Sequence, residues 1–257
     1  MDHVEGGSLY HPNRVKKALA AGGYSFGTWV LESRQPTIMR RVAEAGYDHV
    51  FIDMESSPFS WETIADFCEL ARAHGIVPIV RPAELTRAST LRLLEIGASG
   101  VMFHDVDDRD EVDRIREWID HSKAVRRSDA AKGVAQDAIL VAIQIETAKG
   151  LAAVDSIMTG GGIDLVEIGR GDLASELGFP GQREHPQVQQ AIDRIVAACK
   201  RNGIAVGVTC AHDRDVEDMV RRGVRCLSYG ADGWFLREGL RQGIEALRQH
   251  TRAGSKT

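Results

Sequence analysis

The sequence lacks any long apolar run and any excess of basic residues. Its 257 residues include 32 Lys and Arg against 37 Asp and Glu, which gives a formal net charge of −5. A chain without a basic stripe is a poor partner for nucleic acid, and a membrane-spanning helix needs about 18 consecutive apolar residues, which are absent here. No apolar segment near the N-terminus is typical of a secretion signal. The sequence therefore predicts a cytoplasmic protein that binds neither nucleic acid nor a membrane.

Cysteine is scarce, and its spacing indicates no disulfide framework or zinc site. The four cysteines, Cys68, Cys199, Cys210 and Cys226, form no CxxC pair, and the first two lie in helical patterns. Free, buried thiols in a reducing compartment are the expected state.

A glycine-rich dinucleotide motif is also missing. The first strand-like run ends without GxGxxG, and Gly169-Arg170-Gly171 lacks the third glycine. This absence argues against a doubly wound nucleotide-binding sheet.

Strand-like and helix-like segments instead alternate along the whole chain, which predicts a parallel sheet with crossover helices. Strands are predicted at residues 25–31, 49–52, 77–80, 100–103, 140–145, 165–168, 205–209 and 225–229. Eight such units in a chain of this length indicate one (β/α)8 TIM barrel over residues 1–250, with a short N-terminal helix at 13–21. Residues 123–137 have no hydrophobic period and are predicted to form a long loop. A frayed tail is expected at 251–257.

Polar residues follow several predicted strands, at the barrel face where active sites lie. Glu146 follows strand five and Asp172 follows strand six, so the two carboxylates are expected to lie close together. Two carboxylates, completed by water and substrate oxygens, suit Mg²⁺ or Mn²⁺ and do not suit structural zinc. Gly169 and Gly171 allow backbone N–H groups to approach an anion. The alternative is that both acids only solubilise the strand ends.

A cation is predicted at the same rim. Arg81 ends strand three directly before Pro82, and its guanidinium can hold a carboxylate or enolate oxygen through two N–H groups. A structural salt bridge across the barrel mouth is the alternative. Asp53 and Glu55 close strand two, where one of them is expected to anchor metal-bound water or an arginine, unless it caps the next helix.

Two histidines are candidates for proton transfer. His104 follows strand four and His212 follows strand seven, so both are predicted at the rim. A structural hydrogen-bonding role is the alternative for each. The other histidines lack a strand-end position; one of them, His185, precedes Pro186 and is predicted to cap a helix.

Nine short segments follow one another at a characteristic order and spacing, namely Gly27-Thr28-Trp29, Ala45-Gly46-Tyr47-Asp48, Ile52-Asp53-Met54-Glu55, Val80-Arg81-Pro82, Glu95-Ile96-Gly97-Ala98, Gln144-Ile145-Glu146-Thr147, Ile168-Gly169-Arg170-Gly171-Asp172-Leu173, Leu177-Gly178-Phe179-Pro180 and His185-Pro186. Through these segments the chain resembles the HpcH/HpaI family of metal-dependent, class II pyruvate aldolases over roughly residues 15–247. The resemblance implies a barrel whose last helix is exchanged between protomers, in trimers or hexamers.

The resemblance also implies roles for individual residues. Glu146 and Asp172 would ligate Mg²⁺, Mn²⁺ or Co²⁺, and Arg81 would hold the keto or enolate oxygen of pyruvate. The amides of Gly171 and Asp172 would meet the pyruvate carboxylate. The side chains of Gln144 and Asp53 would support bound water. The metal would stabilise the enolate formed when an aldol C–C bond breaks.

The chain departs from the family pattern at the residue that serves as catalytic acid/base. Ser56 stands where the family has its catalytic histidine, Glu95 replaces the aspartate that partners it, and Arg170 replaces a proline beside the metal. A serine hydroxyl is no substitute for imidazole near pH 7, and loss of a general base costs about 10²–10⁴-fold in rate. Either His104 or His212 transfers the proton, or the reaction differs from ordinary aldol cleavage.

Three functions are therefore compatible with the sequence. The first is a metal-dependent lyase that cleaves or forms a C–C bond of a 2-oxo acid. The second is a specialised biosynthetic enzyme that forms a C–C bond or decarboxylates on the same enolate platform. The third is a barrel that binds a ligand without turnover.

Overall fold

Eight parallel strands close into a barrel in the order of the sequence, which confirms the predicted (β/α)8 fold. The structure, a computed structural model, describes residues 12–122 and 138–253. The strands are β1 (Ser25–Val30), β2 (His49–Asp53), β3 (Val77–Arg81), β4 (Gly100–Phe103), β5 (Leu140–Ile145), β6 (Leu165–Ile168), β7 (Ala205–Cys210) and β8 (Cys226–Ala231).

Eleven helices are found among the described residues. They are α1 (Arg14–Ala20), α2 (Ile38–Glu44), α3 (Trp61–Ala73), α4 (Arg87–Glu95), α5 (Arg109–Asp120), α6 (Ala148–Ala152), α7 (Val154–Ile157), α8 (Arg170–Glu176), α9 (Pro186–Arg201), α10 (Asp213–Arg222) and α11 (Asp232–Ala253). No helix in the described part of the chain is long and apolar enough to cross a membrane.

The strands are hydrophobic on both faces because the barrel interior and the helix layer each bury one face. All five residues of β2 are buried; Phe51 packs inside with Trp29 and Ile79, whereas Val50 and Ile52 belong to the layer under the helices. Burial of one such side chain contributes about 1.5–3 kcal/mol. The helix α1 adds Val15 and Leu19 to the interior cluster.

Capping residues bound several helices, including the predicted one at His185. The Ser60 hydroxyl accepts a hydrogen bond from the Thr63 amide at the start of α3, and Gly75 adopts a φ of +75° just beyond its end. His185 caps α9, whose first residue is Pro186.

Other boundaries differ from prediction. The strand predicted at 225–229 spans Cys226–Ala231, and two short helices, α6 and α7, lie between β5 and β6. The helix α8 was not predicted, because its seven residues begin with the polar sequence Arg-Gly-Asp and carry little hydrophobic period. The loop predicted at 123–137 and residues 254–257 of the predicted tail lie outside the described residues.

Candidate active site

A cavity of about 470 Å³ opens at the carboxyl ends of the strands. The structure brings five of the predicted site residues together in its wall, namely Arg81, Gln144, Glu146, Gly171 and Asp172. They reach the wall from the carboxyl ends of three strands, β3, β5 and β6. Ser56 also lines the cavity.

Arg81 is held by several contacts at once. The register of β2 and β3 places it opposite Asp53, and its Nε donates to Asp53 Oδ1 at 2.8 Å. Its Nη1 donates to Gln144 Oε1 at 3.2 Å and lies 2.8 Å from Glu55 Oε2. The guanidinium also lies 4.8 Å from the centre of the Trp29 ring. These contacts fix the orientation of the cation in the cavity wall.

Asp53 is fully buried behind Arg81 and accepts hydrogen bonds from the loop after β2. The Glu55 amide, the Ser56 amide and the Ser56 hydroxyl donate to it at 3.0, 3.1 and 2.8 Å. Burial opposes ionisation of the carboxyl, but the hydrogen bond and charge of Arg81 and the Ser56 hydroxyl hold its pKa below the ordinary value. Asp53 is therefore an ionised anchor for both Arg81 and the Ser56 loop.

Glu146 is buried beside this cluster. Its Oε2 accepts from Gln144 Nε2 at 3.3 Å, and its Oε1 accepts from the Asp105 amide at 3.3 Å. Asp105 has a φ of +52°, a left-handed conformation that is unusual for a residue other than glycine. A Cβ at position 169 would overlap Glu146 Oε2, so this carboxylate requires Gly169 as its neighbour.

The two predicted metal ligands repel each other. Burial raises the pKa of Glu146 to about 7, the Asp105 amide lowers it, and the negative charges of Asp105 and Asp172 raise it further. The Asp172 side chain forms no hydrogen bond or ion pair with the described residues. A buried carboxylate whose ionisation is disfavoured by a neighbouring carboxylate, with an amide oxygen nearby, fits a hard divalent cation. No cluster of three His, Cys, Asp or Glu suited to a metal occurs within the described ranges, so water and substrate would complete the coordination.

Two further arginines lie in the cavity wall. Arg170 is buried, and its Nη2 donates to the Thr209 carbonyl at 2.7 Å and lies 3.4 Å from Asp215 Oδ2. Its guanidinium is therefore paired with protein acceptors although the residue also lines the cavity. Arg183 is exposed and lies beside Gly171 at the mouth.

The two candidate histidines are not among the residues that line the cavity. His104 Nδ1 lies 3.0 Å from Asp105 Oδ2 and 3.9 Å from Glu55 Oε1, and its buried Nε2 has no hydrogen-bond partner in the described part of the chain. His212 is exposed at the start of α10. Glu95, which stands at the position of the family's partner carboxylate, is exposed at the end of α4 and is also outside the cavity wall.

Sequence reasoning missed one charged residue inside the barrel. Glu167 lies in the middle of β6, opposite Gln144, and lines the cavity although it is only 2% exposed. Its Oε1 accepts from Thr209 Oγ1 at 3.1 Å. The available signal was a glutamate in an otherwise apolar strand, Leu165-Val166-Glu167-Ile168.

Comparisons with known proteins extend over nearly the whole chain. The family model of HpcH/HpaI aldolase/citrate lyase matches residues 26–238. The hydroxypyruvate/pyruvate aldolase of Paraburkholderia phytofirmans is 30% identical and covers 92% of this chain and 98% of its own. The 4-hydroxy-2-oxo-heptane-1,7-dioate aldolase of Salmonella typhimurium is 27% identical, covering 88% and 91%. The crystal structure of citrate synthase SbnG superposes with a TM-score of 0.85 at 26% identity, and the match covers 95% of this chain and 99% of that one.

Proposed function

The chain belongs to the HpcH/HpaI aldolase/citrate lyase family, and from that premise we propose that it is a divalent-metal-dependent lyase that cleaves or forms a C–C bond of a 2-oxo acid. The pyruvate enolate is the proposed intermediate. The observation that carries the proposal is the contact of Arg81 with both Asp53 and Gln144, beside the buried Glu146. This arrangement presents a fixed cation where an enolate oxygen would develop charge.

Glu146 and Asp172 would hold the metal, with Gln144 and Asp53 supporting the groups around it. Mg²⁺, Mn²⁺ and Co²⁺ all accept such oxygen ligands. When bound, the ion supplies Lewis-acid stabilisation of negative charge on the oxygen of the 2-oxo group.

The chain's own residues would orient the substrate. Arg81 donates to the keto oxygen of the 2-oxo acid, and the amides of Gly171 and Asp172 meet its carboxylate. The ring of Trp29 covers one side of Arg81 and keeps water away from the guanidinium. Cleavage of a 4-hydroxy-2-oxo acid then requires removal of the 4-hydroxyl proton and delivery of a proton to C3 of the enolate.

The other two functions raised by the sequence are not favoured by the comparisons. Both aldolases reported above cover about nine-tenths of the chain, which favours turnover over ligand binding alone. Ser56, however, keeps the biosynthetic alternative relevant, because it leaves the cavity without the histidine that ordinary aldol cleavage uses.

We propose that the protein is a homo-oligomer, a trimer or hexamer, in which α11 is exchanged between protomers. Four large apolar side chains form a row along this helix at exposures between 43% and 66%, namely Leu236, Leu240, Ile244 and Leu247. Such a row on a helix is ordinarily covered by a partner surface. The four buried free cysteines support the proposed location in a reducing cytoplasm.

Exchange of pyruvate methyl protons with D₂O, followed by NMR with and without Mn²⁺ or Mg²⁺, tests the proposal without knowledge of the second substrate. We expect slow, metal-dependent exchange that chelation abolishes. Protein that binds the metal but exchanges no methyl protons would contradict the proposed function.

A further inference from the structure

Glu167 is a buried carboxyl group with one oxygen unpartnered. Its Oε2 is shielded from solvent and has no hydrogen-bond partner among the described residues. A Cβ on the neighbouring strand at Gly207 would overlap this oxygen, so the absence of a side chain at Gly207 makes room for it. Buried polar groups are nearly always paired, so an unpaired oxygen in a cavity wall requires an explanation.

The hydrogen bonds around Glu167 show where its proton lies when the group is neutral. Trp29 Nε1 can only donate, and it donates to Thr209 Oγ1 at 2.7 Å. The Thr209 hydroxyl therefore directs its own proton to Glu167 Oε1, at 3.1 Å. Since Oε1 is an acceptor in this chain of contacts, a proton on Glu167 occupies Oε2, the oxygen without a partner.

The other groups in the cavity wall are poor candidates for proton transfer. The Ser56 hydroxyl donates to Asp53, and a hydroxyl is a weak base near pH 7. Burial raises the pKa of the Cys210 thiol to about 11. Glu146 and Asp172 are the proposed metal ligands, and His104 and His212 lie outside the cavity wall.

We propose that Glu167 is a catalytic residue that moves the proton for which the family's histidine is missing. The proposal rests on the proposed lyase function. In the cleavage direction its carboxylate accepts the proton of the 4-hydroxyl group as the C3–C4 bond breaks and the aldehyde forms. The electron pair of that bond becomes the enolate, and Glu167 returns the same proton to C3 to give the methyl group of pyruvate.

The electrostatic surroundings suit this role. Burial raises the pKa of Glu167 to about 8, while the Thr209 hydroxyl and the charge of Arg170 lower it. A group that titrates near neutral pH both accepts and releases a proton readily. The terminal carboxyl torsion is soft, so its rotation moves Oε2 out of the shielded position, and the side chain lines the cavity in which the substrate would lie.

The test is pyruvate proton exchange in Glu167→Gln. Glutamine keeps an oxygen that accepts from Thr209 but cannot carry the proton. We expect exchange to fall at least about 100-fold, with Mn²⁺ affinity, measured by electron paramagnetic resonance, within about threefold of wild type. Glu184→Gln makes the same change at an exposed acid outside the cavity wall and is expected to exchange like wild type.

Two further variants separate proton transfer from support of the barrel. Thr209→Val removes the hydroxyl but keeps the carboxyl, so its loss of exchange should be clearly smaller than that of Glu167→Gln. Glu167→Asp keeps a titratable group and should exchange faster than Glu167→Gln.

The role of Glu167 alone would be overturned if Glu167→Gln exchanged pyruvate protons within about threefold of wild type. It would also be overturned if Thr209→Val lost as much of the exchange rate as Glu167→Gln. Absence of exchange in the wild type would overturn this role together with the proposed function.

Discussion

Asp53 and Arg81 face each other across β2 and β3, with Arg81 Nε donating to Asp53 Oδ1 at 2.8 Å. The carboxylate is fully buried, and the guanidinium of its partner reaches the cavity. Because the register fixes both backbones, the cation has little freedom to move when a substrate arrives. A buried anchor of this kind preorganises the site for negative charge.

Arg81→Lys is expected to lower the rate of pyruvate proton exchange about 100-fold, a loss that a shift of about 1 Å at a reacting group can cause. Lysine keeps the charge but replaces a planar fork, which contacts Asp53, Gln144 and Glu55 together, with a single ammonium group. Exchange rates and Mn²⁺ affinity measure the effect. Arg87→Lys, at an exposed position on α4, is the control, and wild-type exchange in Arg81→Lys would assign Arg81 a structural role only.

Asp53→Asn is expected to lower the free energy of unfolding by about 3 kcal/mol near neutral pH, because it leaves part of a buried ion pair unmatched. Glu55→Gln removes the more exposed partner of the same guanidinium and should cost less than about 1 kcal/mol. Denaturant unfolding of both variants measures the difference. Equal losses would show that burial of Asp53 does not strengthen its pairing with Arg81.

The same pair predicts a pH dependence. The pKa of Asp53 is lowered in the folded protein, so its stabilising contribution is complete above the unfolded value of about 3.9 and is lost as the pH falls through the folded value. The stability difference between wild type and Asp53→Asn should therefore be constant above about pH 5 and shrink on acidification below about pH 4. A difference that grows on acidification would contradict the sign.

The sequence predicted the barrel because eight apolar runs alternate with helical patterns, and it predicted the rim position of Arg81, Glu146 and Asp172 because polar residues follow those strands. It predicted that Asp53 or Glu55 would anchor bound water or an arginine, but not that Asp53 faces Arg81, since strand register depends on tertiary pairing. Strand-end position also predicted His104 at the rim, although this residue does not line the cavity. Glu167 was missed because only polar residues at strand ends were considered, and Glu167 lies in the middle of a strand.

Glu146→Gln and Asp172→Asn are each expected to weaken Mn²⁺ binding more than about 10-fold, because loss of even a supporting group at a metal site costs about 10–100-fold. Few protein ligands are available within the described ranges, so no neighbour replaces a lost carboxylate. Titration followed by electron paramagnetic resonance provides the affinities. Asp110→Asn, in the first turn of α5, is the matched control. Unchanged affinity in both ligand variants would remove the site assignment.

Leu240→Asp is expected to dissociate the proposed oligomer. It places a charge at the centre of the exposed apolar row on α11, where a partner surface would have to desolvate it. Gln249→Asp adds the same charge on the opposite face of the helix and should leave the oligomer intact. Light scattering coupled to size-exclusion chromatography gives the mass of each variant. A wild-type protein that elutes as a monomer would refute the exchange of α11.

Ser56→His is expected to raise the rate of aldol cleavage of a 4-hydroxy-2-oxo acid, because it returns an imidazole to the cavity wall where Ser56 lies. A positioned general base contributes about 10²–10⁴-fold, although the new ring will gain only part of this because Glu95, at the family's partner position, is exposed outside the cavity. The substitution also removes the Ser56 hydroxyl that donates to Asp53 at 2.8 Å.

Ser57→His is the matched control for Ser56→His, since it adds the same ring one residue away and outside the cavity wall. Cleavage by each variant is followed through the pyruvate released. If Glu167 transfers the proton in the wild type, the double variant Ser56→His with Glu167→Gln should recover part of the activity that Glu167→Gln loses. If the double variant stays as inactive as Glu167→Gln, the imidazole at position 56 does not reach the reacting atoms, and the loop after β2 has diverged in geometry as well as in sequence.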